Sequence, residues 1–248
     1  MIWACFGMLV TQNVVSLEIK RKISSFLVKK IEIVLFKANF LTNYWPISNN
    51  KLSDVIDGAD MTNFGTSFTS DRFGNLNAAL SLNFGYTQVP SGDYFSANEF
   101  TISLWVYAQL LESFCRVIDF GVSGPSTNNI VLALQQENNH QPYIDYDIPP
   151  EHYALSSQPL IETQWQFLTA TYDGSILKIY LNGILTGSQA WIYTLPKITR
   201  SSNFVGKSNY AGNGLSASYL DDLRFYNKSL SQLEIIDLMN SLGNLIFY

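Results

Sequence analysis

The chain has 248 residues, 47% of them apolar, enough to bury a sizeable core, so disorder is excluded for most of its length. Charged residues make up only 14% and aromatics another 14%, a balance that suits strands and polar turns better than helical bundles with Glu- and Lys-rich faces. The formal charge of −5 divides unevenly: residues 1–40 carry +4 and residues 41–248 carry −9, an acidic body that argues against a nucleic-acid-binding surface.

Met1 to Val10 is apolar and Val14-Val15-Ser16 offers residues a signal peptidase accepts, though without a basic n-region; an extracellular or secreted location is the expectation. Residues 17–37 place Ile19, Ile23, Phe26, Leu27, Ile31, Val34 and Leu35 at the spacing of an amphipathic helix, while Ile31 to Phe36 reads equally as a strand. A membrane-surface segment and a leader or linker both fit residues 1–40, and no run of 18 apolar residues predicts a transmembrane helix. The compositional break near residue 40 fits one module of a larger multidomain chain.

Asn43-Tyr-Trp-Pro46 reads as a first strand, and from Asn83 onward strands follow one another. Phe100 to Tyr107 sets Phe100, Ile102, Leu104 and Val106 on one face and Thr101, Ser103, Trp105 and Tyr107 on the other. Arg116 to Phe120 and Ile130 to Leu134 are shorter strands either side of a turn-rich insert at Gly121–Pro125. Trp165 to Tyr172 and Ser175 to Leu181 form a hairpin about Asp173-Gly174, and Asn182-Gly183 supplies the positive φ angles of the next corner. Phe204 to Gly206 and Tyr219 to Tyr226 are two more. Ser231-Gln-Leu-Glu234 is a helix capping box, with Leu233, Ile236 and Met239 as its expected buried stripe and Gly243 as its stop. The prediction is an all-β, two-sheet antiparallel sandwich over residues 41–242, closed by a short C-terminal helix and followed by a tail at 243–248.

The blocks Phe100-TISLWVY, Trp165-QFLTATYDGSILKIYLNGILTGS, Phe204-VG and Tyr219-LDDLRFYNKSLSQLEI occur in the order typical of the concanavalin A-like lectin/glucanase superfamily, and the chain resembles its laminin G-like, pentraxin-like domains over about residues 40–240. Asp71 to Leu82 fits that family's early strand. The resemblance implies a jelly roll. It also implies noncatalytic recognition of a glycan or an extracellular protein through loops; a structural or adhesive module within a larger assembly is the alternative, and a minority of the family are glycoside hydrolases.

The hydrolase branch needs paired carboxylates on one strand face. The nearest run here, Asp145-Tyr-Asp147 with Glu151, meets Pro149-Pro150 where a strand should continue, so no catalytic residue is assigned. Gly121-Val-Ser-Gly124 falls short of a nucleophile elbow, and His140 and His152 have no nucleophile to serve. Gly212-Asn-Gly-Leu-Ser-Ala217 is followed by a strand, which removes it as a dinucleotide fingerprint. Of the two cysteines, Cys5 would leave with a signal peptide and Cys115 reads as a small apolar residue.

Trp191, Tyr193 and Tyr210, in turn-rich stretches, are the expected ligand platform. Strict alternation puts Asp221 on the core side with Leu223 and Phe225, where it would need loop amides or a cation. One expectation is a structural Ca²⁺ held by Asp221 with Asp54 or Asp57. The Asp145, Asp147 and Glu151 group is a second cation candidate or a solvated acidic loop. Asn227-Lys-Ser229 is an N-glycosylation acceptor pattern.

Overall fold

The structure, a computed structural model, describes residues 40–122, 128–147, 152–213 and 215–241. The chain divides into two units, Met1–Phe40 and Leu41–Tyr248, and every element below belongs to the second. The leader, Cys5, Glu151 and the tail from residue 242, Gly243 included, lie outside the described residues.

Fifteen strands and one helix are described: β1 (Leu41–Trp45), β2 (Thr62–Phe64), β3 (Ser67–Thr69), β4 (Ala79–Ser81), β5 (Tyr86–Val89), β6 (Phe100–Leu110), β7 (Arg116–Gly121), β8 (Asn129–Ala133), β9 (Tyr143–Asp147), β10 (Tyr153–Leu155), β11 (Trp165–Tyr172), β12 (Ile176–Leu181), β13 (Ile184–Ala190), β14 (Ser202–Val205), β15 (Ala217–Tyr226) and α1 (Gln232–Met239). The first sheet runs β13-β12-β11-β6-β15-β4-β3 with β1 also on β15; the second runs β10-β9-β8-β7-β14-β5-β2. All these pairings are antiparallel, and the result is a jelly-roll sandwich.

Period-two alternation builds the core from both sheets. Phe100, Ile102, Leu104 and Val106 of β6 face Ile118, Phe120, Ile130, Leu132, Ile144 and Tyr146 of the second sheet, while Trp105 and Tyr107 point outward from the first. Cys115 is fully buried among these residues, and burial pushes its thiol up to about 11. The sheets approach at β10 and β13, where the Ser157 amide donates to the Thr186 carbonyl at 2.7 Å. Gly187 is required there, because a Cβ would overlap the Leu155 backbone.

Three local expectations are corrected. Asn182-Gly183, with φ of 52° and 77°, is the two-residue corner of β12–β13; the β11–β12 turn is longer, spanning Asp173–Ser175. Of the Asp71–Leu82 stretch only Ala79–Ser81 is strand, since Asp71 side-chain oxygens accept from the Phe73 and Asn75 amides and fold the rest into a turn. The capping box forms as expected, but α1 buries Ile235 and Leu238, together with Leu230 ahead of it, and leaves Leu233 76% exposed. A hydrophobic stripe read from spacing alone has two rotational settings, and the angle at which the helix leaves β15 selects this one.

Candidate functional site

The last strand carries the largest departure from simple alternation. Asp222 has φ +56° and the register slips between Asp221 and Arg224, so β15 holds a bulge. The extra residue returns Leu223 and Phe225 to the core and places Asp221 opposite Trp105 on the outward face. Asp221 therefore does not share a side with Leu223 and Phe225. Its partner is Arg72, which clasps Asp221 and, at 2.8 Å, Asp222; Asp222 also accepts from Tyr44 at 2.5 Å and Arg224 at 3.0 Å.

Asp54 belongs to a different assembly. It accepts from Asn43 Nδ2 at 2.7 Å, the Tyr44 amide at 2.9 Å, the Ile56 amide at 3.0 Å and the Ala59 amide at 3.4 Å, fixing the loop that follows β1. Tyr44 separates the two: Asp54 sits at its backbone end and Asp222 at its hydroxyl end. Asp57 is exposed and joins neither. Asp221 and Asp54 thus belong to separate assemblies, one held by a guanidinium and the other by an array of N–H donors, and the described contacts do not bring them together with Asp57. No group of three or more metal-ligating side chains forms among the described residues.

The aromatic platform is also rearranged. Trp191 is only 6% exposed and packs into the core between Tyr146, Tyr172, His152 and Tyr193, the last stacked at 4.9 Å. Its amide donates to the Ser175 carbonyl at 2.7 Å, and Tyr172 Oη donates to the Tyr193 carbonyl at 2.6 Å, so residues 191–193 fold back onto the end of β11. Tyr210 lies across the second sheet from them. Its hydroxyl donates to Asp147, whereas Trp191 and Tyr193 pack against Tyr146, the neighbouring residue of β9, which faces inward. The three aromatics do not converge.

Tyr210 instead covers a polar network on the outer face of the second sheet. Across that face the register aligns Tyr153, Asp145, Val131, Asp119, Phe204 and Gln88 in one row. Asp119, wholly buried, accepts from Arg116 at 2.5 Å, Asn129 at 3.0 Å and the Asn209 amide and side chain, both at 2.8 Å. The Arg116 guanidinium lies 4.9 Å from the Tyr210 ring centre. This network pins the β14–β15 loop to the sheet.

A cleft of about 660 Å³ opens at one end of the sandwich, a volume suited to a small ligand. Its walls are the loop after Asp54 (Asp57, Gly58, Ala59), the β5–β6 loop from Pro90 to Glu99, the start of β1 (Thr42, Asn43) and the end of β15 (Phe225, Tyr226, Asn227). Three carboxylates, two side-chain amides and the rings of Tyr94, Phe95 and Tyr226 contribute to this lining. The β5–β6 loop is held by Arg200, which donates to the Tyr94 carbonyl, and by the paired backbones of Gly92 and Arg200. The Ser96 hydroxyl is buried in the wall with no partner among the described residues. Asn227 is exposed on the rim. Sequence reasoning missed the cleft; the signal was the pair of turn-rich segments Asp57-Gly-Ala-Asp60 and Ser91-Gly-Asp93, which only the fold brings together.

Two antiparallel sheets in this strand order define a lectin-like jelly-roll fold. The family model described as the concanavalin A-like lectin/glucanases superfamily, of laminin G type, matches residues 82–236, and the chain belongs to that family. Among solved structures it is similar to domain 4 of AbnA, an extracellular arabinanase of Geobacillus stearothermophilus in complex with arabinotriose, with TM-score 0.70 and 23% identity over 81% of this chain and 98% of that one. It is also similar to the binding domain of Paraclostridial Mosquitocidal Protein 1 (TM-score 0.60, 18% identity, 83% of this chain) and to the binding domain of Botulinum Neurotoxin DC in complex with SialylT (TM-score 0.60, 17% identity, 82% of this chain). The matches span 53% and 51% of those two toxin domains. No curated protein matches the chain in sequence. Among the described residues no helix is long and apolar enough to cross a membrane.

Proposed function

We propose that this chain is a noncatalytic carbohydrate-recognition module of an extracellular protein and that it binds saccharide in the end cleft. The cleft itself carries this reading. Carboxylates and amides accept and donate the paired hydrogen bonds that vicinal hydroxyls require. The complex of the similar arabinanase domain with arabinotriose supports the ligand class. A noncatalytic role is favoured by the condition of the acidic strand pair nearest to a hydrolase arrangement, because Asp147 of β9 is engaged by Tyr210. A glycan on Asn227 would stand at the cleft mouth and narrow it.

A glycan array probed with the full chain, followed by calorimetry, tests the assignment. Binding is expected, and Ala97→Trp, which fills the cleft from its wall, should weaken it at least tenfold. A blank array overturns the function. Binding that survives Ala97→Trp but is lost in Tyr210→Ala overturns the cleft and moves the site to the outer face of the second sheet.

A further inference from the structure

Three carboxylates line the cleft from two segments: Asp57 after β1, and Asp93 and Glu99 in the β5–β6 loop. Among the described residues that line it, none is Lys, Arg or His. Asp54 lies buried behind the same wall. The field of these groups reaches the cleft lining: Tyr94, whose phenol is held up at about 12 first by burial, also feels the charges of Asp54 and Asp57. Arg200, which holds the β5–β6 loop, is wholly buried and turned toward the carbonyls of Tyr94 and, at 3.3 Å, Asn128. The Ser96 hydroxyl offers an unsatisfied polar atom in this lining.

We infer that the cleft selects saccharides by charge, taking amine-bearing sugars in preference to neutral ones and rejecting those that carry a carboxylate. This rests on the cleft being the saccharide site. A ligand carboxylate seated there meets like charges in the lining, whereas an ammonium meets opposite ones. One unit of ligand charge is expected to change affinity by about tenfold at low salt, and screening should erode the difference as ionic strength rises.

The full chain is titrated with two matched pairs: glucosamine trimer against its N-acetylated form, at a pH where the free amines are charged, and lactose against sialyllactose. The amine trimer should bind about tenfold tighter than the acetylated trimer, and sialyllactose about tenfold weaker than lactose. Both ratios should fall toward one in about 0.5 M NaCl, and also in Asp57→Asn/Asp93→Asn, whose fold is checked by circular dichroism. Sialyllactose binding as tightly as lactose overturns the charge selection while leaving saccharide recognition standing. The expected order persisting through both the salt and the double variant overturns it too, since these carboxylates would not be its source. No binding by any saccharide overturns both readings.

Discussion

Arg72 and Asp221 form an ion pair whose side chains are 7% and 5% exposed, on the outward face of the first sheet beside Trp105. With Asp222, Arg224 and the Tyr44 hydroxyl they make a network of two carboxylates and two guanidiniums. Removing one cation leaves a buried negative charge, so Arg72→Met should cost about 3–5 kcal/mol in urea unfolding. The pH dependence has a definite sign. Burial and the adjacent Asp222 push the Asp221 pKa up, against Arg72, so above its unfolded pKa the native state holds more protons and stability falls as pH rises. Losing Arg72 should carry that fall to higher pH, so the extra destabilisation of the variant should grow as pH rises through about 8.

Asp54 holds its loop by accepting four hydrogen bonds, and no cation is needed to balance that arrangement. Asp54→Ala would leave buried N–H groups unpaired and should cost about 2–4 kcal/mol, loosening one wall of the cleft. Millimolar Ca²⁺ and EDTA should both leave the melting temperature of the unaltered protein where it is. A rise of several degrees with Ca²⁺ would show that oxygens outside this pair bind a cation.

Much of the sandwich is legible in the sequence because its long strands obey one local rule. β6, β11 and β12 alternate cleanly, and the Asn182-Gly183 corner and the capping box at Ser231 are chemistry confined to a few adjacent residues. The side of Asp221 is not legible, because a bulge is set by how β15 fits β6, β1 and β4 together, and a single left-handed Asp222 reverses the parity of everything before it. The short strands β2, β3 and β10 carry too few residues to show a period. Trp191 reads as exposed because its neighbours are turn-forming, yet the fold-back onto Tyr172 buries it. The cleft is invisible for a related reason: its walls lie between residues 42 and 227 and meet only when both sheets have formed.

The burial of Trp191 makes it a stability residue. Trp191→Ala should open a cavity among Tyr146, Tyr172 and Tyr193 and cost about 3–5 kcal/mol. Ile192, its neighbour in sequence, is 87% exposed, and Ile192→Ala should stay within about 0.5 kcal/mol of the unaltered protein. Equal, small effects at both positions would place Trp191 at the surface after all.

The β11–β12 turn offers a prediction tied to pH. Asp173 Oδ1 accepts from the Ser175 amide at 3.1 Å, the Ser175 hydroxyl at 2.7 Å and the Ile176 amide at 2.9 Å, while Oδ2 meets Lys178 Nζ at 2.7 Å. Partial burial raises its pKa, but Lys178, Ser175 and the two amides together outweigh that and hold it at about 2, below the usual carboxylate range. A depressed folded pKa means the ionised form is favoured by folding, so its contribution is complete above about pH 4 and is lost as pH falls toward about 2. Asp173→Asn should therefore be less stable than the unaltered chain at pH 7, and the gap should close progressively over that acidic window. Because both side chains of the Asp173–Lys178 pair are about a quarter exposed, added salt should narrow the gap at pH 7 as well, whereas the hydrogen bonds to Ser175 and Ile176 should preserve part of it. A gap that stays constant from pH 7 to pH 2 would mean that the carboxylate charge does not stabilise the turn.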